Sequence, residues 1–171
     1  MKYKEIYSDD FLRQFGNIEN AVENMELDNN SYSIDVDSIL GYCHLNTVLS
    51  DKLHAQGGID GHVVYISPDM DDNEKRFREA HGIGHYVLGH IGDAGIYREE
   101  TERAADEFAM QLLTPEYIVK LFVMKYVKEN GISSISHDVS PMISSAAKAE
   151  GVPEIIIRRR MKELGIITEE K

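Results

Sequence analysis

Apolar and polar positions along this chain change rhythm twice. Residues 1–30 are acidic and only weakly periodic, and short helices are predicted around Asp10–Phe15 and Asn17–Met25, separated near Gly16. Ile34–Tyr42 reads as a short helix capped by an aspartate. Cys43–Leu49 alternates loosely and is rich in strand formers, so a strand is expected there. Gly57, Gly58 and Gly61 mark 50–61 as a loop or hairpin turn. His62–Ile66 gives the clearest strand signal, closed by Ser67-Pro68-Asp69. The period then shifts to 3.6. From Asp72 to about His90, Phe77, Ala80, Ile83 (or Gly84), Val87 and Leu88 trace the inner face of a helix. Gly89, Gly92 and Gly95 interrupt it. A second helix is predicted from about Ile96 to Leu113, with Ala105, Phe108, Ala109, Leu112 and Leu113 inward. Pro115 opens a third, Glu116–Asn130, stopped by Gly131. After a polar loop at 132–138, helices at roughly 140–149 and 153–164 flank Glu150-Gly151-Val152-Pro153. Few strands followed by many helices predict an α+β fold.

Composition adds limits to this outline. The 171 residues suit one compact domain, and 42% hydrophobic with 28% charged residues is ordinary for a globular chain. We divide it into a main body, 1–135, whose first 30 residues are a helical segment, and a helical appendage of the same domain, 136–171. Cys43 is the sole cysteine, so no internal disulfide and no cysteine zinc site is available. It reads as a small buried hydrophobe. No apolar run reaches the ~18 residues that span a bilayer, and MKYKEIYSDD has no apolar signal core. A cytoplasmic protein without a membrane partner is expected. The net charge of −12 argues against nucleic-acid binding by the general surface.

The chemistry concentrates in one stretch. His81 and His85 lie four apart on a predicted helix, one turn apart on one face, and both imidazoles can reach a single metal. Glu102 and Asp106 repeat the spacing on the next helix. One of these carboxylates can bind the metal while the other accepts the second N–H of a ligating histidine. His90 sits near the helix end, off register for the third histidine of HExxHxxGxxH, which requires position 91; that position is Ile91. It reads as a residue at the negative end of the helix dipole. His44, His54, His62 and His137 lack metal spacing.

The motifs around these residues resemble the ImmA/IrrE family of metallo-endopeptidases. The likeness lies in Arg76-Phe77, Ala80-His81 and Ile83-Gly84-His85-Tyr86-Val87-Leu88-Gly89-His90. It continues in Glu102, Ala105-Asp106, Phe108-Ala109 and Leu112-Leu113-Thr114-Pro115. It extends over roughly 34–115. The resemblance implies a zincin-like domain, with a small antiparallel or mixed sheet packed on an active-site helix and further helices at the C-terminus. It implies zinc ligands at His81, His85 and Glu102, leaving Asp106 to hold a histidine. It also implies a partner: proteins of this family cleave helix-turn-helix repressors to relieve repression, typically in prophages, mobile elements or stress-response loci.

One position departs from the family pattern. The family places glutamate, the general base, directly after the first histidine; this chain has Gly82. Losing a general base costs ~10²–10⁴ in rate. Glu79, two residues before His81, faces away from the metal. An impaired peptidase is therefore expected. Because every other motif position is kept, Gly82 reads as a recent or deliberate inactivation. The alternative is a natural non-catalytic metal-binding homologue, or toxin–antitoxin-like component, that binds its regulator without cutting it.

Three lesser expectations complete the reading. The strand His62, Val63, Val64, Tyr65, Ile66 is a candidate to pair with an extended substrate. Tyr86 reads as core rather than as an oxyanion donor. The basic cluster Arg158-Arg159-Arg160 and Lys162 sits on the last helix, where Ile155, Ile156, Ile157, Met161, Leu164 and Ile166 are expected to pack the tail onto the body rather than present a recognition helix to DNA.

Overall fold

The structure, a computed structural model, describes residues 1–27, 32–50, 56–90, 99–132 and 138–168, with side chains omitted for 56–60. The N-terminal segment is a 3-10 turn at Tyr3–Glu5, α1 (Asp9–Arg13), a second 3-10 turn at Gly16–Ile18 and α2 (Glu19–Glu23). It closes on itself through Tyr3 N–H to Met25 O, 2.9 Å, and Leu27 N–H to Met1 O, 2.8 Å. Its organising feature is aromatic. Tyr3, Tyr7, Phe11 and Phe15 recur every fourth residue and are all buried. Phe11 and Phe15 reach the ring of Phe108, at centroid distances of 5.1 and 5.5 Å.

α3 (Val36–Tyr42) begins at Asp35, whose side chain accepts from Ser38 N–H, the aspartate cap that the sequence suggests. Cys43 ends this helix rather than starting the strand, and His44 takes a left-handed φ of 54°. β1 therefore starts later than expected and spans Asn46–Leu49. Cys43 is fully buried, and burial pushes its thiol up to about 12. We expect no reaction with a thiol reagent at pH 8 in the folded chain, and full reaction in denaturant; fast labelling of the native protein would contradict this burial.

The sheet corrects two expectations. Gln56–Asp60, expected in a loop or turn, forms β2, with a register irregularity between Gln56 and Ile59. Gly57 and Gly58 were local evidence for a turn, but cross-strand pairing with β3 decides the outcome. The turn is confined to Gly61 and His62, with Gly61 at φ 59°. β3 (Val63–Ile66) is the middle strand of the order β1-β3-β2, parallel to β1 and antiparallel to β2. The candidate substrate strand His62, Val63, Val64, Tyr65, Ile66 is thus already paired on both sides. His62 O itself accepts from Asn46 N–H at 2.8 Å. Among the described residues, β1 and β2 are the outer strands of this sheet.

α4 (Asp72–Val87) starts with a capping box between Asp71 and Glu74 and packs on β2, β3 and α5. α5 (Glu99–Leu113) buries the whole expected set Ala105, Phe108, Ala109, Leu112 and Leu113. The expected start of α5 near Ile96 lies outside the described residues, as does most of the loop at 132–138. α6 (Glu116–Asn130) ends at Gly131, φ 80°. α7 (Ser140–Glu150) and α8 (Glu154–Glu163) meet at Gly151 in a left-handed conformation. Ile157 and Met161 of α8 are buried, whereas Ile155 is 69% exposed and does not pack the tail. Arg160 donates to Thr114 O at 3.0 Å, and Arg159 pairs with Glu107 and Glu163. One apolar cluster runs from Tyr3 to Ile167. Among the described residues no helix is long and apolar enough to cross a membrane.

Candidate metal centre

Helix periodicity delivers His81 and His85 to the same face of α4, and both are buried. Glu102 arrives from α5. The two helices leave little room at position 84, which has no side chain: a Cβ there would lie 3.0 Å from Ala105 O, 3.2 Å from Ala105 Cα and 3.2 Å from Phe108 Cδ1. His81 Nε2 and His85 Nε2 are 2.9 Å apart. Glu102 Oε2 is 3.2 Å from His81 Nε2, and Glu102 Oε1 is 3.3 Å from His85 Nε2.

Asp106, one turn beyond Glu102, lies behind His81, its Oδ1 2.8 Å from His81 Nδ1. A carboxylate at neutral pH can only accept, so Nδ1 carries a proton, and in the neutral ring Nε2 is left with its lone pair facing inward, whereas the protonated ring can donate to Glu102 as well. His85 has a neighbour on its outer nitrogen too: His90 Nδ1 is 3.1 Å from His85 Nδ1. His90 is therefore not at the focus where His81, His85 and Glu102 converge.

The electrostatics fit a cation-seeking site. Burial pulls the His81 imidazole down, but hydrogen bonds to Asp106 and Glu102 outweigh it and leave it above its ordinary value. Burial, helped by the adjacent His81 charge, pushes His85 down to about 4. Glu102 is held below the ordinary carboxylate range by its hydrogen bond with His81. Asp106 is also held low: burial acts the other way, and contact with His81 prevails.

Donor set and spacing both accommodate zinc. A tetrahedral ion ~2.0–2.1 Å from each ligand separates the ligand atoms by about 3.3 Å. The three observed separations are 2.9, 3.2 and 3.3 Å. His81, His85 and Glu102 are also the group of side chains whose ligand atoms can share one metal among the described residues. Two imidazoles and one carboxylate leave a fourth position for water or substrate.

A family model for the IrrE N-terminal-like domain matches residues 41–162. The chain belongs to this family. Its peptidase character agrees with a centre of two buried histidines and one half-buried glutamate, so this IrrE-like domain is of metallopeptidase type with an α+β, zincin-like fold. No curated protein and no solved structure gives a significant match.

The remaining sequence candidates fall into place around this IrrE-like centre. Gly82 is buried between the two histidines, and nothing in its position supplies a carboxylate. Glu79 faces the sheet side, where Thr47 Oγ1 donates to it at 3.3 Å. Tyr86 is half-buried against the core, its ring 6.4 Å from that of His62. Two relations were missed in the sequence. One is the reach of His90 back to His85, signalled only by the glycine before it. The other is Val64, whose methyl groups would lie 2.6 and 2.9 Å from a Cβ at position 82. No local pattern announces that contact.

Proposed function

We propose that this chain is a zinc-dependent endopeptidase of the IrrE type, directed at a helix-turn-helix repressor and impaired in catalysis by Gly82. The convergence of His81, His85 and Glu102 on one point carries the reading. A zinc ion held there would supply Lewis acidity. The chain's own residues do the rest. His81, His85 and Glu102 hold the ion, and Asp106 fixes the His81 ring and its tautomer. Among the described residues β2 is the outer antiparallel strand and packs on α4, which supports its backbone as the candidate for an extended peptide to add as a further strand. This assigns to β2 the role first given to β3. Among the described residues, none takes the place of the family's general base. Position 82 has no side chain, and Glu79 is engaged with Thr47 away from the centre. A cytoplasmic setting in a mobile element or stress locus follows from the proposed repressor target.

The second reading is a natural non-catalytic homologue that binds its regulator without cutting it. Val64 favours it over a recent loss. A single inactivating change in a working enzyme would leave space where the glutamate side chain began, whereas here the start of that side chain is filled by a buried valine.

Metal analysis tests the site itself. The purified chain, incubated with zinc and desalted, is expected to retain about one zinc per chain, and His81→Ala to retain essentially none. A metal-free wild type, or equal zinc in both proteins, contradicts the assignment.

A further inference from the structure

α4 ends in a turn that brings the chain back onto its own metal-facing histidine. Gly89 takes a left-handed φ of 73°, and His90 N–H donates to His85 O at 2.9 Å. This six-residue closure is the kind by which a glycine ends a helix and satisfies its last carbonyls. Its effect here is to put the half-buried His90 side chain beside the His85 ring. The centroids are 5.2 Å apart, the planes inclined at 67°, and the two Nδ1 atoms 3.1 Å apart. His90 thus touches His85 through main chain and side chain together.

The contact lands on the atom that decides what His85 can do. A neutral imidazole carries one N–H. With the proton on Nδ1, Nε2 presents a lone pair toward His81 Nε2 and Glu102 Oε1; with the proton on Nε2, that lone pair is lost. For His81 the choice is made by a carboxylate, Asp106. His85 has no carboxylate within reach of its Nδ1 among the described contacts, and His90 Nδ1 is its partner there. Two ring nitrogens at that distance need one proton between them.

We propose that His90 is a positioning residue for the metal centre: its Nδ1 accepts the His85 Nδ1–H, which orients the His85 ring and leaves Nε2 free to bind the ion. The two ligating histidines are then held by different chemistry, one by an anion from α5 and one by a neutral ring from the end of their own helix. The position that fails as a third ligand, because it is one residue out of register, serves from behind the second one. This inference rests on the reading of His81, His85 and Glu102 as a zinc site.

Zinc affinity, measured by competition with a chromophoric chelator, tests it without any peptidase assay. His90→Ala is expected to weaken zinc binding about 10–100-fold, the range seen when the outer partner of a metal-bound histidine is removed. His90→Asn places an acceptor oxygen where Nδ1 stood and is expected to recover most of the loss. The metal-free melting temperature should be the same for wild type and both variants. If His90→Ala binds zinc as tightly as wild type while His85→Ala loses it, the role of His90 is refuted and the metal site stands. If wild type and His85→Ala are equally unable to bind, both fall. If His90→Ala lowers the metal-free melting temperature and His90→Asn restores no affinity, His90 is only a structural helix end and the proposal is overturned.

Discussion

Gly82→Glu combined with Val64→Ala is expected to raise hydrolysis of the proposed helix-turn-helix repressor substrate by ~10²–10⁴ over wild type, the contribution of a general base. Gly82→Glu alone is expected to fall well short of that and to lose stability. The reason is steric. A Cβ at position 82 meets Val64 Cγ2 at 2.6 Å and Cγ1 at 2.9 Å. Val64 is fully buried on the central strand, and a β-branched side chain has little rotamer freedom to retreat. Overpacking of this kind costs about 1–3 kcal/mol. Alanine isolates the effect. In a helix interior Gly→Ala normally gains ~1 kcal/mol, so a melting temperature that falls in Gly82→Ala attributes the loss to the Val64 contact. Val64→Ala carries its own core cost, and the coupling between the two changes is the quantity to read. A double-mutant cycle should give a favourable interaction of about 0.5–3 kcal/mol. A Gly82→Ala variant more stable than wild type removes the steric argument. A double variant that binds zinc yet does not cleave the repressor contradicts the reading of Gly82 as the cause of the impairment.

The second large effect concerns Glu150, far from the metal ligands in sequence. It closes α7, is fully buried, and neither carboxyl oxygen has a hydrogen-bond partner among the described residues. Burial pushes it up to about 8, and the charge of Arg160 offsets only part of that. Between the ordinary glutamate value and about 8 the folded chain keeps a proton that the unfolded chain has released. Unfolding then releases a proton, so this group lowers stability progressively as pH rises through that window and adds no further loss above it. At 1.36 kcal/mol per unit, the full span is on the order of 3–5 kcal/mol. Glu150→Gln cannot ionise. Its denaturation free energy, compared with wild type at pH 5 and at pH 8.5, is expected to improve by that amount at the higher pH. The unpaired amide costs the same at both values, and the histidines titrate in both proteins, so neither obscures the difference. Parallel pH profiles would mean that Glu150 ionises freely in the folded state.

Much of this centre was legible because helices write their faces into the sequence at fixed intervals. His81 and His85, then Glu102 and Asp106, each repeat at four, and the structure brings these side chains together. The Asp35 cap and the stop at Gly131 are equally local and were equally readable. What was not legible depends on partners distant in sequence. Gly57 and Gly58 look like a turn until β3 lies beside them. Strand order has no local signature, so β3 could be mistaken for an edge. The Gly82–Val64 contact joins positions eighteen residues apart across a helix–sheet interface. Tyr3, Tyr7, Phe11 and Phe15 were a different case. Their spacing of four is visible, but broken helices at Gly16 disguised it, and the match to Phe108 needed the third dimension.

Gly84 gives the helix pair the character of a caliper. Its missing side chain sets how near α5 stands to α4, and that gap sets how far Glu102 stands from the two imidazoles. The centre thus inherits its dimensions from backbone packing rather than from the reach of its own ligands. A side chain at position 84 is therefore expected to disturb the spacing of His81, His85 and Glu102 while leaving all three residues in place.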